Sequence, residues 1–335
     1  MPRVARIALS SLAAACLACG SDSSGPSVPG PDRIAFVEAV VAQPATFVER
    51  HVGSQLSVVS RDGTDHHTLT PSSSWVASFD WAARAGRVAY RTTPTDPYVQ
   101  VIADDGTAIT QIDTRGALSG GAFDLSPDGT QLLYVSGAPD GVRLWVAQVN
   151  SGQKRELVRD DYGIGGGIWS PDGRWIAFAQ RDTLWKIQAD GTARTRIAAL
   201  RSVEEIAWSP DGSMLAMHGP GGVWVMRTDG SNARQLTGEG KPTPGFTYPR
   251  WSPDGRRLLG RIYVYGDWQI LVVRVSDGVT ETRLSGAASE GDWSPDGSRF
   301  VYVKLSGRQL VTVRVDGTGE EAMRSGPIGD PYWLR

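Results

Sequence analysis

The tetrapeptide Ser-Pro-Asp-Gly occurs five times, at residues 126–129, 170–173, 209–212, 252–255 and 294–297. Four copies follow a tryptophan (Trp169, Trp208, Trp251 and Trp293), and the first follows Leu125. Two degenerate copies extend the series, Phe79-Asp80-Trp81 and Pro331-Tyr332-Trp333. The interval is about forty residues, the length of one supersecondary unit that cannot bury both its faces alone and must stack on neighbours. A chain built this way folds as an array.

Each unit carries the same β signals. After the turn comes an apolar run such as Trp175-Ile176-Ala177-Phe178, then a second such as Leu184-Trp185-Lys186-Ile187. A hairpin turn follows, at Asp62-Gly63, Asp105-Gly106, Ser151-Gly152, Asp190-Gly191, Asp229-Gly230, Asp277-Gly278 and Asp316-Gly317. Asp-Gly between apolar runs is a strong short hairpin signal. In Ser-Pro-Asp-Gly, Pro presets φ, Asp tolerates the next position and Gly accepts the left-handed conformation. No helical period competes after residue 33.

Four strands per unit, with continuous rather than alternating apolar runs, predict sheets covered on both faces by neighbouring sheets. The expectation is an all-β, seven-bladed β-propeller of four antiparallel strands per blade over residues 32–335. Asp32-Arg33-Ile34-Ala35-Phe36 matches the second strand of later units, whereas Pro331 to Arg335 supplies only an inner strand. The C-terminal strand is therefore predicted to complete the first blade.

The Trp-Ser-Pro-Asp-Gly repeat followed by an apolar strand resembles the TolB-type propeller repeat. That repeat is found in TolB itself and in the propellers of prolyl-oligopeptidase-like peptidases. The resemblance covers residues 32–335. TolB carries an additional N-terminal α/β domain and usually six blades, a pattern this sequence departs from.

Residues 1–18 read as a signal peptide. Arg3 and Arg6 precede the apolar stretch Ile7 to Ala18, which is too short to span a bilayer. Residues 19–31 are a flexible polar tether. Cys16 and Cys19 at the end of the apolar stretch resemble a bacterial lipoprotein signal, which implies lipidation at Cys19 and an exported protein anchored at the periplasm or cell surface. Formal net charge is −2, from 34 Lys and Arg against 36 Asp and Glu. That balance offers no footprint for nucleic acid.

Catalytic signatures are sparse. No Gly-x-Ser-x-Gly elbow of the kind a hydrolase domain would bring is present. Ser151-Gly152-Gln153-Lys154 lies across a hairpin turn. The four histidines, His51, His66, His67 and His218, show no metal-binding spacing, and His66 and His67 read as surface residues. The repeated aspartates Asp128, Asp172, Asp211, Asp254 and Asp296 read as turn formers, and the anchor tryptophans as packing wedges between blades. No cofactor or metal site is expected.

All these turns lie at one end of the blades, so the irregular connections lie at the other. That irregular face holds Glu38 to Gln55, Asp160-Asp161-Tyr162, Glu204-Glu205, Gly240 to Pro249 and a long hairpin tip over Tyr263 to Trp268. Function on rigid scaffolds concentrates in such loops. The candidate ligand-binding residues are Phe246, Tyr248, Tyr263, Tyr265 and Trp268 of blade six, with His51 and His218. The reading is a monomeric, non-catalytic envelope module that binds a protein or saccharide-like ligand. Its rival is a propeller lyase or hydrolase acting over the central channel through His51 and His218.

Overall fold

The structure is a computed structural model that describes residues 33–42, 50–64, 66–71, 73–82, 85–93, 96–103, 105–115, 123–138, 140–326 and 328–334. The described residues form seven four-stranded antiparallel sheets, a seven-bladed β-propeller. Blade one orders Ile328–Leu334, Arg33–Ala42, Arg50–Ser60 and His67–Thr68 from inside outward. In blade five the strands are Glu204–Trp208, Met214–Gly219, Gly222–Arg227 and Arg234–Gln235. In blade six they are Thr247–Trp251, Arg257–Val264, Asp267–Arg274 and Thr280–Ser285.

The turn signals work as internal caps. In the first copy Ser126 Oγ donates to Asp128 Oδ1 at 2.6 Å, and the Gln131 N–H returns to Ser126 Oγ at 2.9 Å. Gly129 closes the turn at φ +65°. The same Ser-to-Asp bond recurs in the other four copies. Each aspartate is thereby committed to its own turn, as its residue type suggested.

No single core exists. The buried apolar residues fall into seven clusters, each joining two adjacent blades. The anchor tryptophans add direction to this packing. The indole N–H of Trp169 donates to the Asp124 carbonyl, Trp208 to Ile168, Trp251 to Ala207 and Trp293 to Arg250, at 3.0 to 3.3 Å. Each indole thus ties its blade to the one before, satisfying a donor that burial would otherwise strand.

The residue before each anchor from Trp81 to Trp293 is buried. Asp80 Oδ2 accepts the Leu125 N–H at 2.5 Å, and Asp124 Oδ2 accepts the Trp169 N–H at 2.7 Å. The two carboxyls are buried and interact electrostatically. Burial pushes Asp80 up to about 6, against the pull of the Leu125 and Trp81 N–H donors and of Arg250. Burial, with the like charge of Asp80, raises Asp124 well above the ordinary range. Arg250 and Glu290, both buried, form an ion pair at 3.3 Å.

Blade one holds strands from both ends of the described chain. Ile328–Leu334 pairs with Arg33–Ala42, with Leu334 opposite Arg33 and Trp333 opposite Ile34. Blade one also meets blade seven as its other neighbours meet. The hairpin glycine Gly63 faces the Met323 carbonyl on the outer strand of blade seven, as Gly106 faces Leu69 and Gly230 faces Ile197. A polar clasp reinforces this junction: Arg324 donates twice to Glu38 Oε1 (2.9 and 2.6 Å), and Ser57 Oγ donates to Glu38 Oε2. His66 Nε2 lies 3.4 Å from Glu38 and its ring stacks on Phe36. The surface reading of His66 is corrected accordingly: the ring is only partly exposed because Glu38 and Phe36 hold it in the junction.

Candidate binding face at blades five to seven

The inner-to-second and third-to-outer turns share one end of the blades, which leaves the second-to-third hairpins and the blade-to-blade connections at the other. Of the seven exposed large apolar side chains among the described residues, six lie on that second, irregular face. They are Trp75, Tyr162, Tyr263, Tyr265, Trp268 and Leu305; Ile109 alone sits on the turn face. A contiguous exposed apolar patch is a candidate interaction surface, whereas singly scattered side chains are ordinary.

Four of the six belong to the second-to-third hairpins of blades six and seven. In blade six the projection is strand rather than loop: two eight-residue strands meet at Tyr265-Gly266, both at positive φ (50° and 88°). Consecutive positive φ values make a type I′ turn. It holds Tyr265 fully in solvent. Tyr263 and Trp268 are directly opposed across the hairpin, with ring centroids 5.0 Å apart. The Arg261 guanidinium lies 4.2 Å from the Trp268 centroid and 5.8 Å from that of Tyr248. Such a stacked cation and ring set is stiff and pre-formed.

A second group lies beside it at the inner strands. Glu205 and Tyr248 each stand three residues before an anchor tryptophan, and both adopt the left-handed backbone (φ 53° and 56°). Each strand shifts register there. Bulges of this kind re-aim side chains at functional sites. Across the blade boundary the Tyr248 N–H donates to Glu205 Oε2 at 2.6 Å. Burial raises the Glu205 carboxyl, opposed by that N–H and by the charges of His218 and Arg261. His218 Nδ1 sits 3.7 Å from Glu204.

The structure therefore brings together Tyr248, Tyr263, Trp268 and His218, and places Tyr265 at the tip. Phe246 is corrected. It is 1% exposed, packed in the cluster between blades five and six and over Gly260, where any Cβ would collide with its ring. His51 falls on the strand Arg50–Ser60, opposite Val41, and its side chain lies outside the described residues, as do Cys19 and the tether. Sequence reasoning missed Arg261, which reads in the sequence as one more strand residue. It also left Glu205 unseparated from Glu204, although its spacing from Trp208 equals that of Tyr248 from Trp251.

No protein-family model matches the chain. An uncharacterized protein of Agrobacterium fabrum is 28% identical over 196 residues; the match spans 53% of this chain and 53% of that relative, about half the length of each. Among solved structures, TolB from Acinetobacter baumannii superposes with a TM-score of 0.53 at 18% identity, over 92% of this chain and 68% of that one. An oligogalacturonate lyase in complex with manganese superposes with a TM-score of 0.61 at 16% identity, over 88% and 86%. These likenesses support the propeller fold. Among the described residues, no three His, Cys, Asp or Glu side chains converge as a metal site. No described helix is long and apolar enough to cross a membrane.

Proposed function

We propose that this protein is an exported envelope module, anchored through Cys19 and facing the periplasm or cell surface, that binds a protein partner across its irregular face without catalysis. The sorting of six of seven exposed large apolar side chains onto that face carries the reading. Tyr, Trp and Arg are the side chains that most often dominate binding energy at protein interfaces, and here they form one stacked group. A matched capture from envelope extract tests it. The variant Tyr265→Ser with Leu305→Ser should lose the partner that the parent protein and an Ile109→Ser control on the turn face retain. Equal capture by all three overturns the reading.

A second reading, a lyase or hydrolase acting over the channel, draws on the raised carboxyl of Glu205 beside His218 and Arg261. A general acid or base needs such a tuned group. It requires an activity on a saccharide that His51→Ala with His218→Ala abolishes.

A further inference from the structure

We propose that Glu205 is a positioning residue that couples protonation at the boundary of blades five and six to the order of the aromatic group on blade six. The coupling stands on geometry, and its consequence for binding rests on the function proposed above. Glu205 belongs to blade five, yet its Oε2 accepts the backbone N–H of Tyr248 in blade six at 2.6 Å. Both residues hold left-handed backbones at bulged positions. A tyrosine does not rest there without help, because its Cβ crowds the backbone. The cross-blade bond is therefore what fixes Tyr248, and Tyr248 in turn is one of the two rings over which Arg261 lies. The other is Trp268, whose ring lies tilted against that of Tyr263.

Glu205 thus reaches the exposed platform through Tyr248 and Arg261. Its charged neighbours are Glu204 on its own strand, His218 on the second strand of blade five and Arg261 on the second strand of blade six. A proton on Glu205 removes the negative charge that the Tyr248 N–H and Arg261 both face. The bond to Tyr248 weakens, because a charged acceptor binds an N–H more strongly than a neutral one. Arg261 also loses its attraction toward Glu205. Acidification should therefore loosen the platform, and neutral pH should order it.

The test reads Trp268 emission against pH on the full chain, using Trp268→Phe to isolate that residue from the other tryptophans. Wild-type protein should show one emission step centred above the ordinary glutamate value of about 4.3. Trp268→Phe should lack it. Glu205→Gln, uncharged like the protonated acid, should show the acid-form emission throughout and no step. Glu205→Ala should show the acid-form emission at every pH. A step that survives in Glu205→Gln would belong to His218 and overturn the coupling, as would native emission in Glu205→Ala. Should Glu205→Ala not fold, Glu205→Gln decides alone. Because no partner is present, these outcomes are separate from partner capture, so either proposal can fail without the other.

Discussion

The two faces of this propeller are built from the same blades and differ in almost every other respect. On the turn face, each Ser-Pro-Asp-Gly copy closes on itself through the same Ser-to-Asp bond, and among the described residues one large apolar residue, Ile109, is exposed. On the irregular face the connections vary and the left-handed tyrosines and glutamate gather with six exposed apolar side chains. The repeated turns satisfy their polar groups locally, whereas on the irregular face the Tyr248–Glu205 bond runs between blades.

The contrast can be broken by removing what both faces depend on. Deleting residues 331–335 strips blade one of the partners opposite Arg33, Ile34, Ala35 and Phe36 and bares a sheet edge. We expect the loss of most of a folding free energy that totals only ~5–15 kcal/mol in ordinary domains. The deletion should unfold at much lower urea and form oligomers by light scattering. A melting curve unchanged within a degree or two would show that the ring does not need this strand.

Next in size is the indole tie. Trp293→Ala should cost about 3–5 kcal/mol, whereas Trp293→Phe, which keeps most of the volume but drops the bond to the Arg250 carbonyl, should cost on the order of 1–3 kcal/mol. Urea denaturation of the pair separates packing from hydrogen bonding. Equal costs would reduce the tryptophan to a wedge.

The buried carboxyls of Asp80 and Asp124 give a smaller effect of opposite sign. Both are raised by burial, so folding favours their protonated forms; the penalty is absent below the unfolded value near 3.9 and grows as pH rises toward about 6 and beyond. Asp124→Asn retains an acceptor for the Trp169 N–H and removes one charge. It should gain about 1–2 kcal/mol at pH 7 relative to wild type, with the gain shrinking toward pH 4. A difference independent of pH would contradict the shared burial of the pair. Smallest on stability is Tyr265→Ser with Leu305→Ser, expected within about 0.5 kcal/mol by thermal melting, since both side chains stand in solvent. A large loss would place these residues in the fold rather than on a recognition face.

The blade count and the turn chemistry could be read from the sequence because Pro, Asp and Gly act over four residues, with no help from the rest of the chain. The candidate site could be read only in part. Tyr263 and Trp268 were legible as a projecting hairpin, but Phe246 was not legible as core: the hollow it fills exists because Gly260, fourteen positions later, has no side chain. Likewise, nothing local announces that Glu205 will bond across a blade boundary. Residues whose partners lie one repeat away carry no short-range signal. The tryptophans were recognised as wedges for their bulk, while their indole bonds, which also span one repeat, came only with the structure.

Gly63 faces the Met323 carbonyl as Gly106 faces that of Leu69 and Gly230 that of Ile197, though at different distances. The junction of blades one and seven is thus made of the same kind of contact as junctions between blades consecutive in sequence. A circularly permuted gene that joins the present ends by a short linker and opens the exposed connection near residue 201 should yield the same ring. The break in the polypeptide would then be a matter of genetic bookkeeping, and new fusion points could be placed beside whichever blade needs them.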